Sequence, residues 1–181
     1  SVDESLEEIR KEVERLLRKW KEDNKEMRKR IRELLEDWRK KVEDSKKRAK
    51  DLIDEVKKRR DDERVEKVRK ELEDLLKESE EKVREVERRV KKLLDESTKK
   101  VKEIEKEIRD IIRELDKRLK AGKRDTRELE KEAEDALRRL KKLIEEDRRE
   151  LEKILKELED LMREDTKENE KILREAEERS R

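Results

Sequence analysis

Residues 16–20 read Leu16-Leu17-Arg18-Lys19-Trp20, residues 34–38 read Leu-Leu-Glu-Asp-Trp, and residues 52–56 read Leu-Ile-Asp-Glu-Val, so a similar motif recurs with an 18-residue period. The apolar residues around these motifs are spaced by three and four, which is typical of an amphipathic helix. Because an α-helix has about 3.6 residues per turn, one such repeat completes about five turns and returns the apolar stripe to the same side. A heptad repeat would instead drift by about 20° per repeat. The pattern predicts a nearly straight helix with one wide apolar stripe.

The same 18-residue spacing continues in two further segments. One aligns Val65, Val83, Val101 and Leu119, and the other aligns Leu137, Leu155 and Leu173. Three segments of nearly equal length, each with one apolar stripe, predict an all-α, monomeric up-down-up three-helix bundle that forms one domain over residues 1–181. The predicted helices cover residues 2–59, 62–120 and 126–180.

Two joints separate the predicted helices. The first falls near residues 59–63, where Asp61 or Asp62 would cap the second helix. The second contains Gly122, the only glycine, as a C-terminal cap. It is followed by residues 125–128, Asp-Thr-Arg-Glu, which have the spacing of a capping box. Residues 1–4 have the same spacing at the start of the sequence.

The composition excludes most kinds of active site. Charged residues make up 65% of the 181 residues, the net charge is +2, and the sequence contains neither His nor Cys. The usual zinc, haem and iron–sulfur ligand sets are therefore missing, as are Ser–His and Cys–His nucleophile pairs. A single glycine also excludes phosphate-binding loops. We expect no enzymatic activity, no cofactor and no metal.

Polar residues interrupt the apolar stripes at a few positions. With short joints, residue n of the first helix lies near residue 121 − n of the second and 124 + n of the third, to within about one turn. This matching places the interrupting residues in two sets, which we interpret as hydrogen-bonded layers that set the helix register. The alternative is that these side chains reach solvent at the stripe edges. The first set is Asn24, Ser97 and Asp147, and the second is Ser45, Ser79, Asp165 and Asn169.

Two tryptophans, Trp20 and Trp38, occupy equivalent positions of the repeat. The height matching places Trp20 near Val101 and Ile144, and Trp38 near Val83 and Met162. Because neither has an aromatic neighbour in the pattern, the sequence favours core packing over a ligand-binding cage.

The sequence predicts no partner. Basic and acidic residues are interleaved almost one for one, whereas a nucleic-acid interface needs a basic field. No apolar run exceeds two residues, which argues against membrane insertion. No targeting segment is recognisable before Val2, and the absence of Cys leaves the compartment undetermined.

The 18-residue repeat, the Glu, Lys and Arg surfaces and the minimal loops resemble de novo designed, parametrically generated untwisted three-helix bundles. The resemblance covers the whole chain and is specific to a design style rather than to a sequence family. It implies a hyperstable scaffold without natural activity. The alternative is a natural charged helical spacer or a spectrin-like interaction module. A single extended helix of this length would reach about 270 Å, against about 85 Å for a folded bundle.

Overall fold

The computed structural model describes residues 2–59, 63–122 and 126–180. These residues form three α-helices, α1 (Val2–Lys57), α2 (Glu63–Lys120) and α3 (Thr126–Arg179). The predicted all-α three-helix bundle is confirmed. Helix α1 ends two residues before the predicted boundary, and α2 begins one residue after it. The proposed caps at Asp61 or Asp62, at Asp125 and at residues 1–3 lie outside the residues whose side chains are described.

The helix ends follow the charge pattern of the sequence. Helix α2 has Glu63 and Glu66 in its first turn, and Lys117, Arg118 and Lys120 in its last turn. These charges complement the partial positive charge at a helix N-terminus and the partial negative charge at a C-terminus. Gly122 follows with φ of 65°, the left-handed conformation that glycine adopts at low cost. Its N–H donates to the carbonyl of Leu119 (3.3 Å) and so helps to end α2.

The chain packs as two compact units. The first unit contains Ser1–Lys29 and Leu93–Lys153, and the second contains Arg30–Lys92 and Ile154–Arg181. Each unit therefore takes a part of all three helices. The prediction of one domain over residues 1–181 stays a prediction.

Ion pairs within the first unit define the helix directions there. Along α1 and α2, Arg10 pairs with Asp116, and Lys21 pairs with Glu105 at 3.1 Å, so residue numbers rise on one helix as they fall on the other. Helices α2 and α3 are antiparallel by the same reasoning, since Arg118 pairs with Glu132 and Lys100 pairs with Glu150.

The second unit has the same arrangement. Lys46 pairs with Glu80 at 3.2 Å and Arg39 with Glu87 at 3.0 Å, so α1 and α2 are antiparallel. Helices α2 and α3 are also antiparallel, as the pairs Arg89–Glu157 and Arg179–Glu71 show. The up-down-up order follows in each unit.

Each unit has an apolar core formed by the stripes of all three helices. One cluster of buried core residues in the first unit consists of Val13, Leu17, Trp20, Val101, Ile104, Ile108 and Leu140. One in the second unit consists of Ala49, Leu52, Ile53, Val56, Val68, Leu72, Leu75, Leu173 and Ala176. No large hydrophobic side chain among the described residues is exposed. The stripes are thus covered by the chain itself.

Candidate functional site

The structure buries almost all of the polar residues that interrupt the stripes. Ser45 is half-buried. The buried ones are Asn24, Ser79, Ser97, Asp147, Asp165 and Asn169.

Helices α1, α2 and α3 bring Asn24, Ser97 and Asp147 together in the first unit. The Nδ2 of Asn24 donates to the Oγ of Ser97 at 3.1 Å and to Oδ2 of Asp147 at 3.3 Å. The indole Nε1–H of Trp20 donates to the same Oδ2 at 2.8 Å. We call these four side chains, with Lys100, the first polar cluster. It joins all three helices by side-chain hydrogen bonds.

The Asp147 carboxylate is the acceptor at the centre of the first polar cluster. Its Oδ2 receives two N–H donors, and its Oδ1 lies 4.0 Å from the Nζ of Lys100. Lys100 also donates to Glu150 at 3.1 Å, so its ammonium group bridges the buried carboxylate and a surface one. A buried charge is stable only when hydrogen bonds or an opposite charge replace its water shell. Here both are present.

One acceptor of the first polar cluster remains unused. The Oδ1 of Asn24 is buried and has no hydrogen-bond partner among the described residues. One turn further along α1, Arg28 donates to Thr98 at 2.6 Å, and Thr98 donates to the carbonyl of Leu94 at 3.0 Å. The polar contacts between α1 and α2 thus continue past the cluster.

The second unit repeats the central contacts of the first polar cluster. The Nε1–H of Trp38 donates to Oδ2 of Asp165 at 3.1 Å, and the Nζ of Lys82 lies 3.2 Å from Oδ1. We call these three side chains the second polar cluster. Each of them stands one 18-residue repeat from its counterpart in the first polar cluster, which is Trp20, Lys100 or Asp147.

The other predicted members of the second layer make no such contacts. Among the described residues, no side-chain hydrogen bond joins Ser45, Ser79 or Asn169 to Asp165 or to one another. Lys46, Glu80 and Glu170 directly follow these three residues in the sequence, and they form the ion pairs Lys46–Glu80 and Arg48–Glu170. Ser45, Ser79 and Asn169 therefore lie about one helical turn away from the level of Asp165.

Trp20 and Trp38 are both buried, and Trp20 belongs to the apolar core of the first unit together with Val101. Ile144, the α3 residue predicted at its level, packs against that core. The bonds from the two indoles to aspartates were not foreseen from the sequence. The signal that could have found them is the shared spacing, since Trp, Lys and Asp all recur with the 18-residue period on their own helices.

Neither cluster contains two carboxylates or a hydroxyl group bonded to a base. The Ser97 hydroxyl accepts from an amide and has no hydrogen bond to a general base in the described part of the chain, and Asp147 and Asp165 stand a whole repeat apart on α3. Within the described ranges, no group of three or more His, Cys, Asp or Glu is placed to hold a metal ion. No described helix contains a stretch long and apolar enough to cross a membrane.

Ion pairs between the helices change the pKa of a few surface groups. Burial would raise the pKa of Glu105, but its hydrogen bond and charge interaction with Lys21, together with Arg109, outweigh burial and lower the pKa below its ordinary value. Arg48 donates to Glu170 at 2.8 Å and to Glu177 at 2.7 Å. The bond to Glu177 is the largest of the effects that raise the pKa of Arg48. The Lys21–Glu105 pair joins α1 to α2, and the pairs of Arg48 join α1 to α3.

Comparisons with known proteins found no similar protein. No family model, no curated protein and no solved structure matches the chain significantly.

Proposed function

We propose that the chain is a structural scaffold, designed de novo, that has no natural biochemical activity and acts as a hyperstable monomer. The observation that carries the proposal is the repetition of the Trp–Lys–Asp contacts with the 18-residue period on all three helices. Short joints, apolar stripes that the chain itself covers and a surface of interleaved charges support it further.

Within this scaffold the two polar clusters would fix the helix register. A helix displaced by one turn would place the Asp147 or Asp165 carboxylate against apolar side chains. Each buried polar group left without a partner costs about 1–3 kcal/mol. An apolar stripe alone distinguishes poorly between registers, because one Leu or Ile can replace another at little cost.

A displacement of α3 by one whole repeat, about 27 Å, would bring only one of the two Trp–Lys–Asp sets together again. If α3 moved by one repeat, Leu129 would take the place of Asp147. The indole N–H of Trp20 and the amide of Asn24 would lose their acceptor. The asparagines make the repeats unequal, since Asn24 corresponds to Val42, and Asn169 corresponds to Leu151.

The scaffold proposal is tested by measuring mass and thermal stability together. Light scattering should give the monomer mass of 22.5 kDa at every protein concentration. The helicity followed by circular dichroism should show no unfolding below about 90 °C, the usual boundary for hyperstable domains. A transition near 50 °C, or a mass that rises with concentration, would favour the natural helical spacer instead.

The register is tested by cross-linking, since the chain has no cysteine of its own. Arg48 and Glu170 are ion-paired, so the double variant R48C/E170C should react with a short bifunctional thiol reagent. The matched control R48C/E152C marks the register displaced by one repeat and should not react. Adding N24V, D147L and N169L should slow the cross-linking of R48C/E170C, because α3 can then shift by about one turn without leaving a buried polar group unpaired. If R48C/E170C reacts equally fast in that background, the polar residues do not set the register.

A further inference from the structure

The first unit contains a cavity of about 250 Å³ between its three helices. Apolar residues from all three helices line it, and so do the charged residues Glu7, Arg10, Asp116 and Lys120. Among the lining residues are Leu6 and Ile9 of α1, Ile112 and Leu115 of α2, and Ala133 and Ala136 of α3.

The two alanines, Ala133 and Ala136, are smaller than the residues at the equivalent positions of the next repeat of α3. One repeat further on, the same positions hold Leu151 and Ile154. At Ala133 and Ala136 the helix therefore presents methyl groups where its next repeat presents four-carbon side chains. An apolar cavity of about 150 Å³ is enough to bind benzene. The cavity in the first unit, at about 250 Å³, has room for two fused aromatic rings.

A second, more polar space of about 480 Å³ adjoins the cavity, and Arg10 and Ile112 line both. This groove lies between α1 and α2, and cationic side chains outnumber acidic ones along it. The charged residues that line it are Arg10, Arg18, Lys21, Arg109, Arg113 and Glu14.

The cations of the groove differ in whether they are already neutralised. Arg10 pairs with Asp116, and Lys21 and Arg109 both pair with Glu105. Arg18 and Arg113 are exposed, and neither has a carboxylate partner in the part of the chain that the structure describes. The groove thus presents two unpaired guanidinium groups beside the apolar cavity. Guanidinium groups bind carboxylate and sulfonate oxygens through paired N–H donors.

We propose that the cavity and the groove together bind a small anionic amphiphile. An apolar group of one or two rings fills the cavity against Ala133 and Ala136, and a sulfonate or carboxylate lies in the groove between Arg18 and Arg113. Neutral apolar molecules fit the cavity alone and leave both arginines unused.

The test is calorimetric titration of the folded chain with naphthalene-2-sulfonate and, as a neutral match, 2-naphthol. We expect saturable binding of one sulfonate per chain, with a dissociation constant on the order of 1 mM from the binding energy per atom typical of drug-sized ligands. The neutral probe should bind about tenfold more weakly, and added salt should reduce the difference.

Three variants locate the bound molecule. A136L fills the cavity and should weaken both probes at least tenfold. R18Q/R113Q, which changes only exposed side chains, should weaken the sulfonate to the level of 2-naphthol and leave 2-naphthol unchanged. The matched control R32Q/R84Q removes two exposed arginines of the second unit, which also have no carboxylate partner among the described residues, and should change neither affinity.

Each other result would overturn the proposal. Absence of saturable binding would show that the cavity takes no ligand of this class. Equal affinity for the two probes, or unchanged sulfonate binding in R18Q/R113Q, would remove the role of the arginines. Unchanged binding in folded A136L would place the molecule elsewhere. These results do not bear on the scaffold proposal, which depends on mass, melting and register.

Discussion

Replacing Asp165 with Leu is expected to lower the free energy of unfolding by about 1–3 kcal/mol, the cost of a buried donor that has lost its acceptor. The donor is Nε1–H of Trp38, a residue that is 2% exposed and donates to Asp165 at 3.1 Å. Leucine itself suits the position, since the repeat has Leu129 at the equivalent place. The loss therefore reports mainly on the unpaired indole.

Replacing Trp38 with Phe tests the same bond from the other side. Phenylalanine keeps an aromatic ring in the core but has no N–H, so the Asp165 carboxylate, 7% exposed, would retain only Lys82. The smaller ring also leaves a cavity. We expect a loss of about 2–4 kcal/mol from the two effects together.

The double variant W38F/D165L separates the bond from the packing. With both partners apolar, no buried group is left unpaired, so the loss should be smaller than the sum of the single losses by about 1–2 kcal/mol. Guanidinium chloride denaturation followed by circular dichroism measures all four free energies.

These four proteins form a double-mutant cycle, and a second double-mutant cycle with W38F and D147L serves as the matched control. Asp147 belongs to the other unit, one repeat away from Asp165 on α3, and bonds to the other tryptophan. The losses in this cycle should add within about 0.5 kcal/mol. Additivity in both cycles would refute the reasoning, because the hydrogen bond would then contribute no free energy of its own.

Four further variants test other features of the fold. G122A should lower the free energy of unfolding by about 1–2 kcal/mol, because φ is positive at Gly122 although nothing lies within 4 Å of the added methyl group; chemical denaturation measures it. The lowered pKa of Glu105 means that its contribution to stability is complete above about pH 4.5, the ordinary value of the unfolded chain, and is lost as the pH falls below it. E105Q should therefore reduce the loss of stability between pH 7 and pH 3, measured by denaturation across that range. A136L should raise the denaturation midpoint by filling the cavity, whereas the same change at Ala49, which is fully buried in a packed core, should lower it.

Each of these predictions has an outcome that would contradict it. An unchanged midpoint in G122A would mean that the turn adopts another conformation at no cost. An equal loss of stability on acidification in E105Q and in the original chain would assign the loss to other carboxylates. A shift of A136L and A49L in the same direction would contradict the difference in packing between the two positions.

The order of the polar residues along the chain was enough to bring the first predicted set to one level, because short joints and a constant rise per residue determine height. The same reasoning placed Asp165 with Ser45, Ser79 and Asn169. Its contacts are instead with Trp38 and Lys82. Height matching is good to about one turn, and a hydrogen bond requires much greater precision.

The sequence by itself determined the secondary structure and the helix count. The 18-residue period is a local property, since it depends only on the rise and rotation of one helix. Only the tertiary structure decided which neighbour each edge of a stripe faces. A stripe about 100° wide contacts two helices at once, and rotation of the helix decides whether an indole points towards Asp147 or towards apolar side chains. The same holds for Ala133 and Ala136, because missing volume becomes a cavity only when the neighbouring helices do not move in to fill it.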